Sequence, residues 1–380
     1  MDFNFTDEQR DFAAAIRDFC QREVGKREQR ERLTEGYTTI HSPELYAKLA
    51  ETGWLGVALP EEYGGAGGGM VDASIFMEET SRGLAPINAY ATTLIVAKAT
   101  QRFGTEEQKK EILGGIAKGA VEAIAMTEPE AGSDVGSLTT SASRTDGGFV
   151  INGQKVFCSN AHLAEHVLVV CRTAKGETKH DGLTMLFVPT DHPGMEIKPI
   201  DTLGGRETSY LYFTDCEVPE DAVLGEVDRA WMQLMAGLNV ERLILAAQTL
   251  GWGWRAFDDA LAYAKERKQF GKPIGSFQAL QHRLADMATE LEAARLMTYW
   301  VASKVDEDPD TTLPREASMV KLFVTETAKK AALAGMQIMG GYGYASEYDM
   351  ERLVRATLVT TIYGGTSEIQ RNIIAKSLGL

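Results

Sequence analysis

The sequence lacks the features that would assign it to a membrane, disulfide-stabilised or metal-cluster class of protein. In its 380 residues no apolar run approaches the roughly 20 residues that a membrane-spanning helix needs. Cysteine is scarce, and no cysteine has the spacing of a metal-binding or redox motif: Cys20, Cys158, Cys171 and Cys216. We therefore expect reduced thiols in a cytoplasmic protein that does not contact a membrane.

Basic residues are also in short supply. The chain has 39 Lys and Arg residues against 54 Asp and Glu residues, which gives a formal net charge of -15. Because nucleic acids are bound mainly through clustered Lys and Arg side chains, this balance argues against a nucleic-acid partner. An anionic ligand is expected to bind only at local basic or backbone sites.

Histidine is the third scarcity. Of the six histidines, only His162 and His166 lie close together in the sequence. Their spacing of four is that of a zinc-binding helix, but Leu163 stands where zinc proteases have glutamate. The segment is also typical of a turn that enters a strand, so we expect no metal site.

What the sequence does contain is the composition of an ordinary globular protein, with 44% apolar and 24% charged residues. Helical periodicity dominates from about Thr6 to Ile116 and returns from about Val227 onward. Between these regions lie short β-rich runs separated by turns, without the crossover helices that parallel strands need. The expected fold class is α+β, with an N-terminal helical domain (1–120), a middle antiparallel β-barrel or sandwich domain (121–226) and a C-terminal four-helix-bundle domain (227–380).

Two segments interrupt the helical regions. The glycine cluster Gly64–Gly69 has no strand-rich unit around it, so we predict a flexible or tightly turned connector and not a phosphate loop. The acidic break Asp306–Pro314 is predicted to be a solvated loop between two long helices.

One carboxylate stands out in the second helical region. Glu241 falls on an apolar helical stripe, whose members are spaced by three or four residues: Leu234, Leu238, Glu241, Leu245, Gln248 and Trp252. A carboxylate in so apolar a span is costly unless it is paired or functional. Two interpretations therefore stay open. Glu241 forms a buried salt bridge, for example with an arginine of another helix, or it acts as a general base.

Five motifs follow one another in a fixed order along the chain. They are Thr127-Glu128-Pro129 with Gly132-Ser133-Asp134, Phe157-Cys158-Ser159, Arg267-Lys268-Gln269-Phe270-Gly271-Lys272 with Phe277-Gln278, Gln337-Ile338-Met339-Gly340-Gly341, and Tyr363-Gly364-Gly365-Thr366-Ser367-Glu368. Their residues and order resemble those of the acyl-CoA dehydrogenases, and the likeness runs from Phe5 to the last helix. The resemblance implies the fold of that family and FAD as the cofactor.

The resemblance also implies roles for these residues. Thr127 would bond the N5 region of the flavin, Phe157 would flank the ring and Ser159 would bond it. The implied cofactor contacts are Met126, Thr127, Gly132, Ser133, Phe157, Ser159, Arg267, Gln269, Phe270, Gln278, Gln337, Gly340, Gly341, Thr366 and Glu368. The implied substrate contacts are Ser133, Leu238, Asn239, Arg242, Gly364 and Gly365. Since relatives hold the dinucleotide across a subunit boundary, a homotetramer is implied as well.

The chain departs from the usual family pattern at Gly364. Most acyl-CoA dehydrogenases have glutamate at this loop position, and that glutamate removes the α-proton of the substrate. In isovaleryl-CoA and long-chain acyl-CoA dehydrogenases the loop residue is small and the glutamate lies on a helix, in a segment that Asn239–Leu243 resembles. The loop glutamate is lost where the helix glutamate is gained, so the resemblance favours Glu241 as the base.

The expected function is oxidation of a saturated acyl-CoA to the trans-2-enoyl-CoA. The α-proton would pass to Glu241 and the β-hydride to flavin N5, with an electron-transfer flavoprotein as the electron acceptor. Alternatives on the same fold are an enoyl-CoA reductase, a monooxygenase, or a catalytically reduced subunit of a heteromeric dehydrogenase. Fatty and branched acyl chains, on CoA or on a carrier protein, are all compatible with the sequence.

Overall fold

The protein is described by a computed structural model that covers residues 5–309 and 311–380, apart from the side chains of residues 236 and 238. Helices lie towards both ends of the chain and strands in its middle. The helices that precede the strands are α1 (Asp7–Val24), α2 (Arg27–Leu33), α3 (Pro43–Glu51), α4 (Met70–Arg82), α5 (Ala89–Phe103), α6 (Glu106–Gln108) and α7 (Gly114–Ala117).

The middle of the chain forms one sheet, and long helices follow it. Its strands are β1 (Glu122–Ala125), β2 (Ser141–Thr145), β3 (Gly148–Ser159), β4 (His166–Arg172), β5 (Leu183–Pro189), β6 (Met195–Thr202), β7 (Gly205–Pro219) and β8 (Val223–Leu224). After the sheet come α8 (Ala230–Glu266), the hairpin strands β9 (Lys268–Gln269) and β10 (Lys272–Pro273), α9 (Gln278–Glu307), α10 (Pro314–Met339), α11 (Gly341–Tyr344), α12 (Met350–Val359) and α13 (Ser367–Ser377).

The sheet is mostly antiparallel, as the short strands and turns predict. Its order is β6-β7-β3-β2-β4-β5-β8, and β1 pairs with β4 outside this path. The pairing of β1 with β4 is parallel, as is the single pair between Ser141 of β2 and Arg172 of β4. The purely antiparallel expectation is wrong at these two places, because the chain returns to the same direction through the β2–β3 hairpin instead of through a helix.

The glycine cluster is a tightly turned connector. Backbone N–H groups of Ala66, Gly67 and Gly68 donate to carbonyls of the segment before it, at 2.9 Å each. Gly65 lies so close to Leu59 that a Cβ on the glycine would be 2.1 Å from the Leu59 carbonyl oxygen. A side chain at position 65 is therefore excluded by the close approach of two backbones.

The acidic break differs from the solvated loop that the sequence predicts. Asp306 belongs to the last turn of α9, and its carboxylate accepts hydrogen bonds from the backbone N–H groups of Met70 (2.5 Å) and Val71 (2.9 Å). These N–H groups begin α4 and have no partner within their own helix. An acidic residue here is explained by its favourable interaction with a helix N-terminus.

The residues form two compact units that do not follow chain order. The helical unit combines the described part of Met1–Arg30 with Gly69–Ala85 and Glu241–Leu380. In it α1 and α9 pack on α4, and α10 packs on α9, α12 and α13. The sheet unit combines Glu31–Gly68 with Pro86–Val240, and α5 packs on β1 there. The three domains predicted along the chain stay a prediction.

Across the described residues, the structure contains no helix that is both long enough and apolar enough to cross a membrane.

Candidate active site

Glu241 lies on α8 and is buried, with 8% of its surface exposed. Burial raises the pKa of its carboxyl group, and the charges of Arg242 and Lys321 oppose that rise. Its Oε2 has no hydrogen-bond partner among the residues that the structure describes. A buried carboxylate oxygen without a partner is energetically costly, so it calls for an explanation.

The salt-bridge interpretation of Glu241 predicts an arginine from another helix. Within the described ranges, Glu241 forms no ion pair with such a residue; the charges that act on it belong to Arg242 on α8 itself and to Lys321 on α10. Lys321 is fully buried, and burial lowers its pKa to about 8 against the opposing effect of the Glu241 charge.

Gly364 lies directly beside the Glu241 carboxylate. Its φ of +59° is in the left-handed region that favours glycine. A Cβ built on Gly364 would lie 3.7 Å from Oε1 of Glu241 and 2.5 Å from Cδ1 of Leu245. The two positions that the sequence singles out, one on a helix and one in a loop more than a hundred residues later, thus meet in space.

Two buried side chains hold the loop that carries Gly364. The Nζ of Lys321 donates to the carbonyl oxygen of Gly365 at 2.8 Å. The Nε2 of Gln370 donates to the carbonyl oxygens of Gly364 (3.0 Å) and Gly365 (2.9 Å). Sequence reasoning missed Lys321, although it was detectable as a lone charge on the buried face of α10, in register with Ala317, Val320 and Val324.

The loop continues directly into α13. Thr366 is the N-cap of this helix, and its Oγ1 accepts a hydrogen bond from the backbone N–H of Ile369 at 3.3 Å. Glu368 is fully exposed in the first turn, where a hydrogen bond from its own backbone N–H and one from Thr366 lower its pKa. Both are predicted cofactor contacts.

A cleft in the helical unit brings together most of the residues predicted to hold the dinucleotide. It has a volume of about 750 Å³. Six predicted residues line it: Arg267, Gln269, Phe270, Gln337, Gly340 and Gly341. Gln278, the first residue of α9, is predicted with them but does not line the cleft.

The chemistry of this cleft fits a dinucleotide. Arg267 supplies a cation that stacks over the ring of Tyr342, with its Cζ 5.6 Å from the ring centroid. Phe270 is 93% exposed on the β9–β10 turn, an unusual position for a large apolar side chain in the absence of a ligand or a partner. At Gly340 and Gly341 an added Cβ would meet no described atom within 4 Å, so the backbone is open to a ligand.

The sheet unit carries the residues predicted to face the flavin ring. The backbone N–H of Val156 donates to the carbonyl oxygen of Thr127 at 2.9 Å, so the segments that contain Thr127 and Phe157 are adjacent. Phe157 interrupts the pairing of β3 with β7, at a φ of +56°, and is 62% exposed. A β-bulge of this kind turns a side chain out of its strand. Ser159 ends β3, and Met126 immediately precedes Thr127.

A buried ion pair that sequence reasoning missed joins the same two segments. The Nζ of Lys155 is 2.8 Å from Oε1 of Glu128 and donates to the carbonyl oxygen of Met126 at 3.0 Å. The Glu128 carboxylate also accepts hydrogen bonds from Thr139 and Thr140, at 2.6–2.9 Å. Burial alone would raise the pKa of Glu128, but Lys155 and these hydrogen bonds hold it at about 2.

The remaining predicted residues lie in different environments. Gly132 and Ser133 are exposed in the segment that follows β1, and Asn239 and Arg242 are buried on α8. The side chain of residue 238, a predicted substrate contact, is outside the described part of the protein.

One cluster combines His166 with carboxylates. Ligand atoms of Glu122, Glu165 and His166 lie within 4.8 Å of one another, and His162 is not part of the group. Glu122 accepts from the backbone N–H of His166 at 3.2 Å, and its other oxygen is 3.3 Å from Nδ1 of the same residue. The hydrogen bond to Glu122 raises the pKa of His166 despite partial burial.

Comparison with known proteins identifies the class to which this fold and these motifs belong. Three family models match successive parts of the chain: the acyl-CoA dehydrogenase N-terminal domain over residues 6–120, the middle domain over residues 123–216 and the C-terminal domain over residues 228–379. The chain therefore belongs to the acyl-CoA dehydrogenase family, whose members are FAD-dependent oxidoreductases. The predicted family, fold class and cofactor are confirmed.

Similar proteins from several organisms match almost the whole chain. A probable acyl-CoA dehydrogenase YngJ of Bacillus subtilis is 38% identical over 100% of both chains. The mitochondrial isovaleryl-CoA dehydrogenase of Solanum tuberosum is 36% identical over 98% of this chain and 91% of its own. The caffeyl-CoA reductase-Etf complex subunit CarC of Acetobacterium woodii is also 36% identical, over 98% of this chain and 99% of its own. Butyryl-CoA dehydrogenase from Megasphaera elsdenii has a similar structure, with a TM-score of 0.92, 32% identity and complete coverage of both chains.

Proposed function

We propose that this enzyme oxidises a saturated acyl-CoA thioester to the trans-2-enoyl-CoA, with Glu241 as the base that takes the α-proton. The observation that carries the proposal is the buried Glu241 carboxylate, one oxygen of which lacks a partner among the described residues, next to Gly364. The α-proton of a thioester is only weakly acidic, so its base needs a pKa raised towards the working pH. Burial raises the pKa of Glu241 in this direction.

The proposed roles divide between proton and hydride. Bound FAD supplies the hydride acceptor, at N5 of its ring. Glu241 takes the proton and becomes a neutral acid, and its apolar surroundings favour that neutral form. Gly364 leaves the space next to the carboxylate free of a side chain, so that the substrate carbon can approach it. Ser133, exposed after β1, is the proposed neighbour of the thioester.

The cofactor contacts proposed for this chain are those of the family resemblance. In the helical unit they are Arg267, Gln269, Phe270, Gln278, Gln337, Gly340, Gly341, Thr366 and Glu368. In the sheet unit they are Met126, Thr127, Gly132, Ser133, Phe157 and Ser159. The proposed substrate contacts besides Ser133 are Leu238, Asn239, Arg242, Gly364 and Gly365.

The reverse direction, reduction of an enoyl-CoA, is a second candidate. It is favoured by the 36% identity with a subunit of a caffeyl-CoA reductase-Etf complex. The same base would then donate a proton to the α-carbon, so the described site serves either direction. The likeness to isovaleryl-CoA dehydrogenase supports the oxidative direction.

Anaerobic mixing of the flavin-loaded enzyme with acyl-CoAs separates the two directions. A panel of saturated acyl-CoAs, graded in length and including branched chains, should contain members that bleach the flavin absorbance. Acyl groups on a carrier protein are tested in parallel. If no saturated thioester bleaches the flavin while enoyl-CoAs reoxidise the chemically reduced enzyme, the chain is a reductase and the dehydrogenase proposal is wrong.

We also propose a cytoplasmic homotetramer that passes its electrons to an electron-transfer flavoprotein. Support for this acceptor comes from the relative that is named as part of an Etf complex. Light scattering on the purified chain measures the assembly, and steady-state turnover with and without an electron-transfer flavoprotein measures the acceptor. A colourless or unstable product would instead favour a subunit that needs a different partner chain.

A further inference from the structure

Lys321 is a fully buried lysine for which the proposed reaction has no role. It lies on α10 among the buried residues Ala317, Val320 and Val324. Burial of an ammonium group is costly and needs a specific compensating interaction. One hydrogen bond to a neutral carbonyl, that of Gly365 at 2.8 Å, offers only part of this compensation.

Further compensation comes from the carboxylate beside the same loop. Gly365 follows Gly364, whose open Cβ position is 3.7 Å from Oε1 of Glu241. The charges of Lys321 and Glu241 act on each other: the lysine opposes protonation of the carboxylate, and the carboxylate favours protonation of the lysine. Lys321 therefore connects the loop and the carboxylate through a hydrogen bond on one side and a charge on the other.

We propose that Lys321 is a positioning residue for the base: it fixes the Gly364–Gly365 loop beside the carboxylate and, together with Arg242, favours the ionised form of Glu241. The inference rests on the proposed function, because it concerns the same base. The apolar surroundings of Glu241 favour its protonated form, which cannot accept the α-proton, and the charges of Arg242 and Lys321 oppose that protonation.

Other charged residues of the described part of the protein also act on this pair. Arg242, on the same helix as Glu241, acts on both Glu241 and Lys321, and Glu326 and Glu368 act on Lys321. The loop between α12 and α13 contributes the uncharged Gly364 and Gly365. Among the described residues, Lys321 is thus the cation on another helix whose charge acts on Glu241, and its removal should shift the ionisation of the base.

A second side chain, that of Gln370, also donates hydrogen bonds to the Gly364–Gly365 loop and provides a matched control. Gln370 shares the Gly365 carbonyl oxygen with Lys321 and also donates to that of Gly364, but it carries no charge. Lys321→Gln retains a hydrogen-bond donor at position 321 but loses the positive charge. Gln370→Leu loses the hydrogen bonds from Gln370 to the loop but leaves the positive charge of Lys321 in place. The two variants therefore separate electrostatic from mechanical support of the base.

The test measures the protonation of Glu241 directly and then its effect on turnover. Infrared difference spectra report the carbonyl stretch of a protonated carboxyl, and the Glu241→Gln variant identifies the band that belongs to Glu241. In Lys321→Gln this band should persist to higher pH, and the acidic limb of kcat/KM should move up by about one pH unit. Lys321→Arg, which keeps a cation, and Gln370→Leu should both leave the limb near its wild-type position.

The results separate the role of Lys321 from the proposed function. An unchanged infrared titration in Lys321→Gln, or an equal shift in Gln370→Leu, overturns the inference about Lys321. The infrared measurement needs no turnover, so it tests the inference even if no acyl-CoA is oxidised and the proposed function fails. If Lys321→Gln does not fold, the double variant with Glu241→Gln should fold better, because it removes both charges. A double variant no more stable than the single one also overturns the inference.

Discussion

Each unit of the molecule contains a buried glutamate and a buried lysine that act on each other. The two glutamates differ in how many hydrogen bonds their carboxylates accept. In the sheet unit Glu128 and Lys155 are 2.8 Å apart, and backbone and hydroxyl donors of Thr139 and Thr140 complete the carboxylate. In the helical unit Glu241 feels the charge of Lys321, but one of its oxygens has no hydrogen-bond partner within the described residues.

The difference shows what hydrogen bonds do to a buried carboxylate. The Glu128 carboxylate, which accepts several hydrogen bonds, has a pKa of about 2. It therefore stays charged under all ordinary conditions and has a structural role. The Glu241 carboxylate, which lacks such a full set of hydrogen bonds, has its pKa raised by burial, and a raised pKa favours uptake of a proton. We infer that Glu128 holds the predicted flavin-facing segments in place and that Glu241 performs chemistry.

The sharpest way to break this comparison is to neutralise Glu241. Glu241→Gln preserves the shape of the side chain and removes the base, so turnover should fall by about 10²–10⁴-fold while the protein stays folded and yellow. Glu292→Gln, an exposed glutamate on α9, is the control and should leave turnover unchanged. Wild-type-like rates in Glu241→Gln would show that the base lies elsewhere.

The same change at Glu128 should act on stability. Glu128→Gln leaves Lys155 buried without its counter-charge, which we expect to lower the free energy of unfolding by about 3–5 kcal/mol. Denaturant unfolding measures this loss. The neighbouring Glu130 is exposed, so Glu130→Gln should change the stability by less than about 0.5 kcal/mol. Equal losses of unfolding free energy in the two variants would contradict a structural role for Glu128.

Lowering the pH should reduce the difference in unfolding free energy between wild type and Glu128→Gln. The pKa of Glu128 is lowered from 4.5 to about 2, so the stability due to its charge is fully present above pH 4.5 and is lost as the pH falls towards 2. The gap in unfolding free energy between wild type and variant should therefore narrow over this window. A gap that stays constant from pH 5 to about pH 2 would contradict the assignment.

A smaller effect is expected at the loop that faces Glu241. Gly364→Ala adds a methyl group that would lie 2.5 Å from Leu245, at a φ unfavourable for alanine. We expect a loss of about 1–3 kcal/mol in stability and a weaker response to bulky acyl-CoAs. Gly36→Ala has a similar φ of +68° with open space around it, so it measures the backbone strain alone. If both variants lose the same unfolding free energy, the predicted clash between residue 364 and Leu245 is contradicted.

Apolar periodicity predicted the fold class, and the family resemblance singled out Glu241 and Gly364 as a gain matched to a loss. Six residues of the predicted dinucleotide set also line one cleft. Lys155 and Lys321 were missed, since a lysine in a sequence is by default an exposed one. The apolar register of Lys321 on α10 is visible in the sequence, whereas the burial of Lys155 depends on which strands pack over it, and such long-range packing is not encoded in local spacing. The parallel pairing of β1 with β4 was missed for the same reason.

Exchange of the substrate's α-protons with solvent tests the role of Glu241 most directly. A 3-thiaacyl-CoA has sulfur in place of the carbon that gives up hydride, so it can lose an α-proton without being oxidised. In heavy water, the wild-type enzyme should exchange the α-protons of this compound, and Glu241→Gln should not exchange them above the uncatalysed rate. Exchange by Glu241→Gln at the wild-type rate would contradict the assignment of this carboxylate as the base.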